Sequence, residues 1–243
     1  MRLMSFNIQH GIDHAWRLQS GEERINLPLM ADAVKRCGAD ICGLNEVYGA
    51  GELPLFNDQA RVIADALGYY AFFAKAIDIA ENQPYGNALI SKYPFIDTTV
   101  LPIPVPKDIP CEPRCILRAT VDINGTPIRV LVTHMGLSDA ERVLAVETLV
   151  KEIEATDLPL VLMGDFNATP HDPVLSPLYA RMEDTLQAHG EASLCSFPSH
   201  APDRRIDYIF VRGITCTKAD LPQIVSADHC PHTADVSLCV GEE

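Results

Sequence analysis

The sequence predicts a mixed α/β (α+β) domain. Two observations carry this. Apolar runs of strand length recur along the chain, and three stretches among them have the 3.6-residue period of amphipathic helices. No internal repeat, low-complexity tract or linker interrupts them, so residues 1–243 read as a single domain. The first strand is residues 2–8. A helix over about 25–37 turns Leu29, Met30, Ala33, Val34 and Cys37 inward, with Pro28 tolerated in its first turn. A strand over 40–45, a helix over about 57–67, and strands over 70–76 and 86–91 follow. Tyr69, Tyr70, Phe72 and Phe73 read as strand and core aromatics. Residues 102–113 hold prolines at 102, 104, 106, 110 and 113 and read as a stiff, extended rim loop. Strands over 115–123 and 127–133 are joined by Asn124-Gly125, a type I′ hairpin signal. Ser138 and Glu141 make a capping box, and Val143, Val146, Val150 and Ile153 then line one helical face. Strands over 159–163, 206–212 and 233–240 complete the order.

Composition narrows the function. The chain has 243 residues, 47% hydrophobic and 21% charged, which is a globular balance. With 19 basic and 33 acidic residues its formal net charge is −14. Such a chain repels polyanions at long range, which argues against a tight nucleic-acid binder. No apolar run approaches a membrane span, and the N-terminus lacks the apolar core of a secretion signal. The eight cysteines read as reduced thiols in a cytoplasmic, monomeric protein. Cys111 and Cys115 lack the paired spacing of a structural zinc site.

Polar residues recur where apolar runs end. Leu3-Met4-Ser5-Phe6 leads to Asn7, Ile41-Cys42-Gly43-Leu44 to Asn45-Glu46, Val130-Leu131-Val132-Thr133 to His134, and Leu160-Val161-Leu162-Met163 to Gly164-Asp165-Phe166-Asn167. Any one of these suits a turn or cap. Together they place carboxylates and histidines at strand ends, where α/β sheets bind ligands. Asp207 opens an apolar strand, where an unpartnered carboxylate is costly. A histidine is its natural partner, and His229 follows in Ser226-Ala227-Asp228-His229.

These motifs, with Gly86-Asn87-Ala88-Leu89 and Arg205-Ile206-Asp207-Tyr208, resemble in type and order those of the endonuclease/exonuclease/phosphatase superfamily, the DNase I-like fold. The resemblance runs from residue 7 to residue 229. It implies a four-layer sandwich, two central mixed sheets face to face with helices on both outer faces, and a divalent-metal phosphoesterase. By resemblance Glu46 is the principal metal ligand, with Asn7 and Asp228 near the metal or its water. Asp165 and Asn167 position the attacking water, and Asp165 is a candidate base. His229 pairs with Asp207, while His134 and Asn87 hold phosphate oxygens. Oxygen donors of this kind suit Mg²⁺ or Mn²⁺.

Two departures bear on substrate. Relatives resembling abasic-site endonucleases carry Asp where this chain has Gln9 and Tyr where it has His134. Both tilt the expectation toward a small or lipid-derived phosphate ester, with a nuclease as the alternative. No acid accompanies Asn87, so His134 is expected to act as a hydrogen-bond donor. Arg114 either clamps a substrate anion or closes a salt bridge to Glu112. His10 and His14 read as loop histidines, and His171, His189, His200 and His232 as surface or rim residues. Loops 9–24, 48–58 and 101–113 are left to set specificity.

Overall fold

The computed structural model describes residues 1–107 and 109–238. Its strands are β1 (Arg2–Asn7), β2 (Ile41–Tyr48), β3 (Tyr70–Asp78), β4 (Pro84–Ser91), β5 (Phe95–Pro102), β6 (Cys115–Ile123), β7 (Thr126–His134), β8 (Leu160–Asp165), β9 (Glu183–Asp184), β10 (Asp207–Arg212), β11 (Ile214–Asp220) and β12 (His232–Leu238). The helices are α1 (His14–Ser20), α2 (Leu27–Cys37), α3 (Gln59–Leu67), α4 (Asp139–Glu154), α5 (Ser176–Tyr179) and α6 (Thr185–His189). Two six-stranded sheets form, in the orders β11-β12-β1-β2-β4-β3 and β5-β6-β7-β8-β10-β9. β1–β2 and β7–β8 are parallel within otherwise antiparallel sheets.

Period-two alternation explains the layers. Along β1, Leu3 enters the apolar layer between the sheets, while Met4, Phe6 and Ile8 pack outward with α2 and α3. Along β8, Val161 and Met163 face the same inner layer, and Leu160 and Leu162 pack outward with α4. These two central strands are apolar on both faces because each sheet is covered on both there. This is the four-layer sandwich that the resemblance implies. Gly43 lets the sheets approach: a Cβ there would lie 2.7 Å from the Met163 sulfur.

The local signals mostly act as chemistry dictates. Asn124 and Gly125 both take positive φ, as a type I′ turn requires. Both arms of the Ser138–Glu141 capping box are present. The buried face of α4 is Ala145, Val146, Leu149 and Ile153, and Val143 is exposed. At about 100° per residue, Val143 falls roughly 100° from the centre of that stripe. β5, β11 and α1 also form outside the predicted elements. β5 is an edge strand with mixed exposure, so its alternation is weak. The strand expected over 233–240 is seen as far as Leu238, and residues 239 and 240 lie outside the described residues. Among the described residues seven cysteines are unpaired; Cys239 lies outside them. No helix among these residues is long and apolar enough to cross a membrane.

Gly164 has φ 146°, and a Cβ there would sit 1.8 Å from the Thr133 carbonyl oxygen. Both are backbone constraints that no rotamer change relieves. Gly164→Ala is expected to destabilise the fold by about 3 kcal/mol, on the scale of overpacking plus backbone strain. A denaturant midpoint equal to wild type would contradict the packing.

Candidate active site

The inner-face rows change from apolar to polar at one end of the sandwich. Leu3 is followed on that face by Ser5 and Asn7, Val130 and Val132 by His134, Val161 and Met163 by Asp165. On the antiparallel strand, Ile209 and Val211 are preceded by Asp207. Pairing then brings rows together: Asp165 registers with both His134 and Asp207, and Asn7 with Asn45. Glu46 should face outward by alternation. A bulge between Leu44 and Val47, with Glu46 at φ 56°, turns it to the same mouth.

A chain of polar contacts links these side chains. Asn7 Nδ2 donates to Glu46 Oε1 at 3.0 Å and to Asp165 Oδ2 at 3.2 Å. Asp165 Oδ2 lies 3.7 Å from His229 Nε2 and 3.6 Å from His134 Nε2. His229 Nδ1 meets Asp207 Oδ2 at 2.8 Å. Arg114 Nη1 is 2.9 Å from both His134 Nδ1 and Glu112 Oε1. An arginine can only donate, so His134 Nδ1 is the acceptor and Nε2 carries the hydrogen. Arg114 therefore closes the salt bridge to Glu112 and at the same time fixes the His134 tautomer.

The loop carrying Asp228 and His229 is stapled on two sides. Ser199 Oγ donates to Ala227 O at 2.6 Å, and Ser199 N donates to Asp228 O at 2.7 Å. On the other side His14 N donates to Ser226 O at 3.0 Å. The Phe197 ring packs 4.8 Å from that of His229.

Electrostatics separate the two histidines. Burial, then the charges of Arg114 and His229, hold His134 well below the ordinary histidine range, so it is neutral. Burial pulls His229 down too, but the carboxylates of Asp207 and Asp165 outweigh it and push it up to about 10. Burial raises Asp165 to about 7, against the opposing pull of His229. Burial also raises Asp228.

Two expected residues are placed differently from the rest. Asn87 is buried, with Oδ1 accepting from Asn45 Nδ2 at 2.8 Å and Nδ2 donating to Cys115 O at 3.0 Å. Its amide is joined to protein at both ends and sits behind the mouth rather than in it. Asn167 N donates to Asp165 Oδ1 at 2.9 Å, while its Nδ2 donates to Met135 O at 2.9 Å. Asn45 is the residue that sequence reasoning gave no role. Its Nδ2 also donates to Thr133 O at 2.9 Å, and its Oδ1 accepts from Asp165 N at 2.9 Å, so one buried amide ties the two sheets behind the site. The signal was its place on the inner face of β2.

The donor set fits a divalent cation. Among the described residues no lysine or arginine forms an ion pair with Glu46, Asp165, Asp207 or Asp228. Asp228 Oδ1 and Asp207 Oδ1 are buried without a hydrogen-bond partner. Uncompensated carboxylates with orphaned oxygens are what a hard cation neutralises. Asp165, Asp207 and His229 also bring ligand-capable atoms within 4.8 Å of one another, though His229 Nδ1 is committed to Asp207.

His232, expected at the surface, is fully buried behind Asp207. Its Nε2 lies 3.3 Å from Thr185 Oγ1 and its Nδ1 3.4 Å from Asp207 O. Burial, aided by the charge of Arg205, lowers it to about 3. The unfolded chain therefore takes up this proton first. The contribution of His232 is complete above pH 6.5 and is lost as pH falls toward 3. Each pH unit in that window costs about 1.4 kcal/mol. His232→Leu is expected to flatten the stability curve between pH 7 and 5 by about 2 kcal/mol relative to wild type, read by denaturant unfolding. Parallel curves would show that His232 titrates normally in the fold.

Residues 4–229 match the Endonuclease/Exonuclease/phosphatase family. The chain is 27% identical over 255 residues to the uncharacterized protein YbhP of Escherichia coli, covering 98% of this chain and 96% of that one. It is 30% identical over 211 residues to protein cwh43 of Schizosaccharomyces pombe, covering 86% of this chain and 19% of cwh43. Among solved structures, the mannosyl-6-phosphatase Bt3783 of Bacteroides thetaiotaomicron superposes with TM-score 0.78 at 15% identity, covering 98% of this chain and 100% of that one.

Proposed function

Because the chain belongs to the endonuclease/exonuclease/phosphatase family, we propose that it is a Mg²⁺- or Mn²⁺-dependent phosphoesterase that hydrolyses a small or lipid-derived phosphate ester. One observation carries the reading. His229 stands between two carboxylates, 2.8 Å from Asp207 and 3.7 Å from Asp165, and Asn7 links Asp165 to Glu46. This joins a proton-handling group to a cation-holding group through one amide.

Glu46, Asp228 and the Asn7 side-chain oxygen, which also accepts from Gln9 N at 3.0 Å, are the groups that would hold the ion. A divalent ion bound there supplies Lewis-acid polarisation of a phosphoryl oxygen. Asp165 orients the attacking water and accepts its proton, a role suited to a carboxylate raised to about 7. Asp207 holds the Nδ1–H of His229, which leaves Nε2–H to protonate the departing alkoxide. His134, neutral with hydrogen on Nε2, donates to a phosphoryl oxygen. Asn45 and Asn87 keep the two sheets, and so these groups, in register.

Purified protein assayed for release of the alcohol from phosphate mono- and diesters, with Mg²⁺, Mn²⁺ and excess EDTA, tests the reading. Release with either metal and none in EDTA supports it. No release from any ester, or full release in EDTA, overturns it.

A small ester fits better than a nucleic acid. Arginines near the mouth are already paired: Arg24 with Asp13, Arg17 with Glu23, Arg114 with Glu112, Arg142 with Asp139 and Arg204 with Asp203. Duplex binding depends on basic groups free to displace counterions. Catalytic efficiency on a small ester is expected to exceed that on plasmid DNA at moderate salt. Nicking at nanomolar enzyme, lost in Asp165→Asn, would reverse that order.

A further inference from the structure

Beside Glu46 lies a cavity of about 310 Å³ that the chemistry above does not use. Its walls come from two of the loops expected to set specificity and the residue after the first: His10, Ile12, Glu23, Arg24 and Ile25 from one side, Tyr48 and Leu55 from the other. His10 is the shared wall. Its Nδ1 lies 4.0 Å from Glu46 Oε2 and has no hydrogen-bond partner, though it is shielded from solvent.

This wall is built at a cost. Gln9 and His10 are consecutive non-glycine residues at positive φ, 45° and 43°. Left-handed backbone of this kind costs roughly 1–2 kcal/mol per residue and persists only where surroundings impose it. Here a fully buried glutamine imposes it. Gln59 Nε2 donates to His10 O at 2.7 Å, and Gln59 Oε1 accepts from Tyr48 N at 3.0 Å. The clamp sets the His10 ring parallel to Tyr48, with centroids 4.7 Å apart.

On the phosphoesterase reading, we infer that this cavity takes the alcohol part of the substrate, and that this part is a compact neutral ring bearing hydroxyls, of the sugar or cyclitol class. Three features select the class. Ile12, Ile25 and Leu55 offer an apolar surface that suits the C–H face of such a ring. Glu23 and Arg24 offer hydrogen-bonding edges whose charges are spent, on Arg17 at 3.3 Å and on Asp13 at 2.6 Å, so they suit hydroxyls rather than an ionic group. Tyr48 has no open face for a flat base. His10 covers one side and Phe56, at 4.3 Å, stacks on it as well. The volume is at the lower bound for small-molecule pockets, which suits one ring rather than a long acyl chain.

Two measurements test this. Saturation-transfer NMR with unphosphorylated myo-inositol, adenosine and hexanol reads the cavity without catalysis. Myo-inositol is expected to give the strongest transfer, lost in Leu55→Trp, where the native side chain is half exposed, and in Ile25→Trp. Stronger transfer to adenosine or hexanol, or myo-inositol signals unchanged in both variants, overturns the inference. The second measurement is the ratio of kcat/KM for inositol 1-phosphate to that for methyl phosphate, with Mg²⁺. It is expected to fall by about tenfold or more in the tryptophan variants, the scale of a blocked pocket, with methyl phosphate little changed. An unchanged ratio counts against the cavity. Failure of the phosphoesterase reading has a different signature: no ester is turned over by wild type, while the NMR difference stands.

Discussion

Replacing Glu46 with glutamine or alanine is expected to lower kcat/KM by about 10³-fold or more, or about 4 kcal/mol of transition-state stabilisation. The loss should come without unfolding. Glu46 sits at a β-bulge with positive φ, its carboxylate is half-buried, and among the described residues no lysine or arginine pairs with it. Its charge also adds to the burial that raises Asp228. Removing that charge relieves repulsion in the metal-free fold, so the thermal midpoint should hold or rise while Mg²⁺ binding by calorimetry is lost. Such a trade of stability for function is common at catalytic centres. Glutamine keeps an oxygen for Asn7 Nδ2, so Glu46→Gln separates the charge from the hydrogen bond. Wild-type activity and Mg²⁺ affinity in that variant would remove Glu46 from the metal set.

The same glutamate marks where sequence reasoning stops. Period-two alternation carries Asn7, His134, Asp165 and Asp207 to one mouth, because each continues an inner-face row whose apolar members are plain in the sequence. The positions of these four are legible from pattern alone. Glu46 violates its row, and only a bulge restores it to the site. Nothing in Leu44-Asn45-Glu46-Val47 announces a bulge: its place at a strand end is visible in the sequence, but its role as metal ligand came from the family resemblance. Asn87 shows the opposite case. Its motif is present, yet its amide is satisfied by Asn45 and the Cys115 carbonyl. Which side of a strand end faces protein and which faces the mouth depends on the partner sheet, and that is a tertiary fact. His232 reads as a rim residue beside Pro231 but opens β12 on the inner face, so pairing with β1 buries it. Ile214 to Cys216 carries alternation that the burial of β11 follows, and the Gly213 turn before it was the available signal.

His229→Ala is expected to lower kcat by about 10²–10⁴, the range for a positioned acid or base. Asp207→Asn alone should cost a substantial part of that. The carboxylate accepts the His229 Nδ1–H at 2.8 Å and keeps the imidazole charged against a desolvation that pulls the other way. An asparagine cannot do both. It removes the charge, and its amide nitrogen can present a donor where an acceptor is needed. The double variant should then be little worse than His229→Ala, because Asp207 acts on the reaction only through the ring it holds. The pH profile separates this from a structural role. In wild type the dyad keeps His229 protonated well above neutrality, so the acid form is available across the neutral range. In Asp207→Asn that form should be lost at lower pH, and the alkaline limb of kcat should move down. Asp207→Asn also breaks a buried pair and leaves a polar amide atom where Asp207 Oδ1 has no partner, so the variant is expected to be less stable than wild type at neutral pH, and the pH profile rather than stability carries the test. Penalties that multiply in the double variant, or an alkaline limb that stays in place, would mean that Asp207 and His229 contribute separately and would break the dyad.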